Sequence, residues 1–183
     1  MKPVHASSLT DEIAAILKSG GIGVLRTDTL YGVVASAGNE QAVERVYKVK
    51  TRKPSKSPIV LIASMEDMFA QYDETTYKRL KELWPGKNSI ILPSSRPAWI
   101  TRGNESIAYR VPDDENLRAF LQKTGPLIAP SANPEGQPPA MTISQAEAYF
   151  GDNIDFYVDR GDVVEAAPSR LYRMTANDLE RLR

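Results

Sequence analysis

The run "PIVLIA" (58–63) limits what this chain can become. It has the length of a strand and no polar residue. A half-buried strand alternates apolar and polar side chains, whereas a continuous apolar run fits a strand buried on both faces. Such a strand needs helices packed above and below it. The surrounding sequence supplies them in alternation with further strands. "LTDEIAAILKS" (9–19) reads as a helix capped by Ser8 or Thr10, with Ile13, Ile16 and Leu17 on one face and Gly20-Gly21 as the stop. Asn39 caps a helix over "EQAVERVYKVK", which places Val43, Val46 and Tyr47 together. Ser64 with Asp67 predicts a capping box opening a helix over "SMEDMFAQY". Further helices are expected over about 75–83, over "DENLRAFLQKTG" and over "ISQAEAYFG". "IGVL" (22–25), "VVASA", "SIILP" (89–93), "SIAYRVP" (106–112), "PLIAP" (126–130), "IDFYVD" (154–159) and "SRLYRM" (169–174) read as strands. The pattern predicts an α/β fold, a sheet covered by helices, in one domain spanning residues 1–183.

Composition removes several chemistries. There are no cysteines among the 183 residues, so thiol catalysis, disulfides and cysteine-based zinc sites are excluded. His5 is the single histidine, and it lies near the N-terminus, where chains are commonly poorly anchored. A histidine-rich metal site is excluded, and a Ser-His-Asp triad would depend on that one residue. The formal net charge is zero, which argues against wholesale coating of nucleic acid. No run of about 18 apolar residues suggests a membrane span. The N-terminus lacks an apolar signal core, so a cytoplasmic location is expected.

Against this neutral background, "KVKTRKPSK" (48–56) holds five cations: Lys48, Lys50, Arg52, Lys53 and Lys56. Positive charge at a helix C-terminus interacts favourably with the helix dipole, which accounts for Lys48 and in part for Lys50. It accounts less well for cations continuing past Pro54, and an anion site is the alternative. Two more polar segments adjoin buried strands: "RTDT" after "IGVL", and "SANPEGQPP" after "PLIAP". Either could be a simple turn, since Thr, Asp, Asn, Gly and Pro all favour turns. Ligands in α/β sheets bind on loops beyond strand ends, so convergence of the three segments would make one site rich in hydroxyls, amide and cations. Such a site suits carboxylate and phosphate groups. Arg110 lies inside the apolar run "IAYRV" and must face solvent, a partner carboxylate or a ligand. Neither GxxxxGK[ST] nor GxGxxG occurs, so a nucleotide would bind without a standard P-loop.

Taken together, "GGIGVLRTDTLYGV", "VYKVKTRKPSKSPIVLIAS", "LWPGKNSIIL", "IAYRVPDD" and "LIAPSANPEGQPPA" resemble the threonylcarbamoyl-AMP synthase family, the YrdC/Sua5 group, over roughly residues 8–172. Its signature of Lys-x-Arg followed by Ser-x-Asn is matched by Lys50-Thr51-Arg52 and Ser131-Ala132-Asn133. The resemblance implies a twisted mixed sheet flanked by helices around a central, concave, basic cavity. It implies a nucleotidyltransferase that converts L-threonine, bicarbonate and ATP, with Mg²⁺, to threonylcarbamoyl-AMP and pyrophosphate. A separate tRNA threonylcarbamoyl transferase complex would move the group onto an adenosine next to the anticodon. By the same resemblance, Lys50 and Arg52 are the catalytic phosphate and bicarbonate ligands, and Lys56 is a third cation on the triphosphate. Thr27 would hold threonine, Arg110 would pair with its carboxylate, Ser131 and Asn133 would bind substrate and nucleotide, and Ser169 would lie near the nucleotide.

The sequence departs from the family pattern at Arg26 in "RTDT", at Lys53 inserted before Pro54, at Glu135 where serine is common, and at Arg170 in "PSR". The chain ending at Arg183 looks like the short form without the extra C-terminal domain. Three alternatives stand beside the synthase. They are a YciO-like paralogue, a non-catalytic protein of the same fold that binds RNA weakly, and the carbamoyl-transferring domain of hydrogenase maturation proteins. The last is normally embedded in a longer, cysteine-rich chain.

Overall fold

The computed structural model describes residues 2–164, 167–175 and 178–183. Its elements follow in the order β1 (Val4–Ala6), α1 (Asp11–Lys18), β2 (Ile22–Arg26), β3 (Tyr31–Ser36), α2 (Glu40–Val49), β4 (Ile59–Leu61), α3 (Glu74–Leu83) and β5 (Asn88–Pro93). Then come α4 (Ala98–Thr101), β6 (Ser106–Arg110), α5 (Glu115–Thr124), β7 (Leu127–Ile128), α6 (Ile143–Phe150), β8 (Phe156–Val158), β9 (Arg170–Met174) and β10 (Leu179–Arg181). The strands form one mixed sheet in the order β1-β8-β2-β3-β7-β4-β6-β5-β9-β10.

Residue alternation sorts the sheet's side chains into two cores, one on each face. Val24, Val33, Val60, Ile62 and Ile128 belong to one cluster, which α2 covers with Val43 and Val46, α3 with Leu80 and α6 with Phe150. Their chain neighbours Leu25, Val34, Leu61 and Leu127 belong to the other, covered by Ile13 and Leu17 of α1 and by Leu117, Phe120 and Leu121 of α5. The "PIVLIA" run is therefore apolar throughout because β4 sits in the middle of the sheet, between β7 and β6, and feeds both cores. Helix starts follow the expected caps: Thr10 accepts from Ile13 N and Asn39 from Ala42 N.

Two expectations are corrected. "SMEDMFAQY" makes only a 3₁₀ turn over Met65–Asp67; Met68 is already extended, with ψ 141°, and Asp73 then caps α3. The capping signal is present, as Asp67 accepts from Ser64 N, but it opens one turn because Met65 and Met68 pack on the core as loop residues. The N-terminus is also anchored: β1 adds to the sheet edge with His5 opposite Tyr157, and the two rings stack at 5.5 Å. Short β1, β10 and the single-turn α4 carry too few residues for a period to show in sequence.

The sheet curls strongly. In sheet order β6 lies four places from β2. Flat strands would hold them roughly 19 Å apart, at about 4.8 Å per step. Yet the Arg110 guanidinium at the end of β6 reaches Asp28 just after β2, at 3.0 Å. The segment following β6 keeps the same approach: Asp113 N donates to Asp28, and Asp114 pairs with Arg160 beyond β8. Curvature thus brings residues from distant strands around the start of β3.

Candidate active site

The start of β3 carries two polar groups. The first is the turn between β2 and β3. Thr27 is buried; its Oγ1 donates to Leu30 O at 2.8 Å and accepts from Leu30 N and Thr29 N. This is the turn-forming role expected of such a threonine. The same Oγ1 also lies 3.4 Å from Arg110 Nη2, and Thr29 Oγ1 lies 3.3 Å from it. Asp28 completes the group. Its side chain is 1% exposed and that of Arg110 is 5% exposed. The pair is close in distance, but Asp28 Oδ1 and Arg110 Nε have no aligned hydrogen bond. Burial lowers the Arg110 pKa, with the Asp28 carboxylate opposing that shift. The partner required of an arginine in an apolar strand is therefore Asp28, a residue the sequence reading left as part of a turn.

The second group joins the loop after α2 to the loop after β7. Ser131 bridges Gly32 of β3, and Ala132 N donates to Tyr31 O. Lys50 is the C-cap residue of α2, but its side chain leaves the helix end and is buried, with Nζ donating to the carbonyls of Ser131 and Asn133. The helix-dipole account consequently keeps Lys48 alone. Burial first, then the Arg52 and Lys56 charges, pull the Lys50 pKa down to about 7, with Glu135 opposing. Ser131 Oγ donates to Asn133 Oδ1 at 2.6 Å, and Asn133 Nδ2 donates to Gln137 O at 2.7 Å, so the Ser-x-Asn pair is preset by its own loop.

Arg52 bends back over its own loop after α2, donating to Lys56 O at 3.3 Å and Ser57 O at 3.0 Å. Between Lys50 and Arg52, Thr51 adopts a left-handed conformation with φ 49°. Tyr47 braces the loop from inside: its hydroxyl donates to Lys56 O at 2.5 Å, and the Arg102 guanidinium lies over its ring at 3.8 Å. Arg102 in turn pairs with Glu44 at 2.6 Å. Lys56 pairs with Glu135 at 2.9 Å. Arg26, another departure from the family pattern, donates to Arg160 O at 3.0 Å.

Ser169 stands apart from Lys50 but near Arg110. Its hydroxyl shares a buried 2.8 Å hydrogen bond with Ser89. With Ile90 opposite Tyr109, the register places Ser89 opposite Arg110. Lys50, Ser131, Asn133, Thr27 and Arg110 thus border the same strand start, Arg52 and Lys56 sit on the adjoining loop, and Ser169, leading into β9, lies two strand places beyond Arg110. Sequence reasoning missed Asp28, Thr29 and Ser89. An acid two positions from a β-strand end, in a chain with an arginine needing a partner, was the available signal for the first.

A family model described as telomere recombination (Sua5, YciO and YrdC) matches residues 15–183. Threonylcarbamoyl-AMP synthase of Pseudomonas fluorescens is 31% identical over 149 residues, covering 79% of this chain and 80% of that protein. The protein of the same name from Pseudomonas aeruginosa is 33% identical over 147 residues, covering 78% and 80%. Among solved structures, P. abyssi Sua5 complexed with L-threonine superposes with a TM-score of 0.89 at 26% identity, covering all of this chain, which spans 57% of that one. E. coli YciO gives 0.83 at 18% identity, covering 100% of this chain and 93% of that one, a likeness of fold. The sheet with its two helical layers, the matched span and the two relatives above agree: the chain belongs to the Sua5/YciO/YrdC family.

Proposed function

We propose that this protein is a threonylcarbamoyl-AMP synthase. The observation that carries the reading is the meeting of Lys50 with the Ser131–Asn133 loop, 81 residues away, at the strand start that also bears Thr27 and Arg110. In the proposed reaction the threonine amine and bicarbonate give a carbamate with loss of water. A carbamate oxygen then attacks the α-phosphorus of ATP. The bond from that phosphorus to the bridging oxygen breaks, and pyrophosphate departs with the electron pair.

Two anions must meet in this step, so positioning and charge compensation supply most of the catalysis. Arg110 would pair with the threonine carboxylate while Thr27 holds the reacting end. Lys50 and Arg52 would flank the carbamate and phosphate, and Lys56 would meet the outer phosphates. Ser131 and Asn133 would hydrogen-bond substrate and nucleotide, with Ser169 on the nucleotide side. No histidine is required. Among the described residues no three His, Cys, Asp or Glu side chains gather as a metal donor set. Mg²⁺ would therefore arrive on the triphosphate, where it neutralises phosphate charge, as this ion commonly does. The product would pass to a tRNA threonylcarbamoyl transferase complex.

The test is pyrophosphate release from ATP with Mg²⁺ and bicarbonate, with and without L-threonine. Release that requires threonine is expected. Release unaffected by omitting threonine overturns the substrate assignment.

A further inference from the structure

The cation loop already holds an anion. Glu135 Oε1 accepts from Lys56 Nζ at 2.9 Å, and Glu135 Oε2 accepts from Lys53 N at 2.6 Å. These are two donors of the segment that concentrates five cations in nine residues. A carboxylate bridging a backbone N–H and an ammonium uses the same donors that a phosphate oxygen would use. The Lys56 hydrogen bond first, and the Lys53 N–H second, hold the Glu135 carboxyl below the usual range, so it stays an anion.

The side chain is free to leave without disturbing the loop that carries it. Glu135 N donates to Lys50 O at 2.8 Å, a backbone tie independent of the carboxylate. Gln137 N closes a turn onto Pro134 O, and Gly136 takes the positive φ of 88° that this turn needs. The Lys56 side chain is 58% exposed, so its ion pair is screened and exchangeable. Lys53, whose place in the loop the family pattern leaves unexplained, thereby acquires a use through its main chain.

We infer that Glu135 is an internal stand-in anion, seated on the outer-phosphate donors of the loop and displaced when a polyphosphate binds, so that it sets the affinity for the nucleotide. The inference rests on the reading of Lys50, Arg52 and Lys56 as a phosphate site. Loss of the carboxylate charge removes both the competition and the repulsion that an incoming phosphate meets.

The experiment measures pyrophosphate binding by calorimetry to the whole chain, comparing wild type with Glu135→Gln, Glu135→Ser and Arg52→Ala. Both Glu135 variants are expected to bind about fivefold more tightly, the scale of one exposed ion pair. KM for ATP should fall by a similar factor while kcat is unchanged. If Glu135 only braced the loop, both variants would bind pyrophosphate more weakly, and that result overturns the inference. Binding that Arg52→Ala weakens but the Glu135 variants leave unchanged also overturns it, with the phosphate site left standing. Absence of pyrophosphate binding by wild type overturns both the inference and the phosphate reading beneath it.

Discussion

The two polar groups at the start of β3 are built to opposite specifications. Arg110, Asp28 and Thr27 are buried and held by one another, on strand ends fixed by a curled sheet. Arg52, Lys56 and Glu135 lie on partly exposed loops, where Arg52 donates to carbonyls of its own segment and Lys56 to the Glu135 carboxylate. Lys50 is the hinge between the two styles: buried like the first group, surrounded by charge like the second. Under the proposed function, a site that joins a small amino acid to a large polyanion would have reason to differ in this way. The small ligand would be oriented by preset geometry, and the polyanion would be captured by charge that can rearrange.

The largest effect is expected of Arg110→Ala. It leaves Asp28 buried without its cation, and removal of one member of a buried pair costs about 3–5 kcal/mol. Chemical denaturation should show that loss. A cost near zero would mean that the first group is no more fixed than the second. Arg52→Ala should do the reverse, leaving stability nearly unchanged while kcat/KM falls at least about 30-fold, or about 2 kcal/mol of transition-state stabilisation. Wild-type turnover in that variant would reduce Arg52 to a brace of its own loop.

Lys50 provides the finest distinction. Its folded pKa of about 7 lies below the ordinary value of 10.5. Between those values the unfolded chain holds more protons than the folded one. Rising pH therefore stabilises the fold across that window, and this contribution is flat below about 7. Anion binding has the opposite sign, because a phosphate favours the ammonium form. Pyrophosphate affinity measured between about pH 6 and 9 should fall above about 7, by at most about tenfold per unit. A profile identical in Lys50→Met would detach Lys50 from the anion.

Local signals carried the fold far. Asn39, Thr10 and the apolar run of β4 act within a few residues of themselves, and each does in the structure what its neighbours dictate. The residues that the fold gathers at the candidate site stood out in the sequence, but their wiring did not. Arg110 and Thr27 are separated by 83 residues and four strand places, and only the curl of the sheet joins them. The burial of Lys50 was hidden for a related reason. Its acceptors are main-chain carbonyls of Ser131 and Asn133, and a carbonyl leaves no mark on composition. Glu135 appeared in sequence as a departure from a pattern, and its partner Lys53 N is likewise a main-chain atom.

Thr51 sits between Lys50 and Arg52 in a backbone region that β-branched residues rarely occupy, and its hydroxyl turns back to Lys50 O at 2.7 Å. Glycine would accept that conformation without the steric cost. An engineer seeking heat resistance would therefore find Thr51→Gly an inviting substitution. It would also remove the hydroxyl that ties this turn to Lys50 O, so a gain in robustness would come at the residue joining the two proposed phosphate ligands.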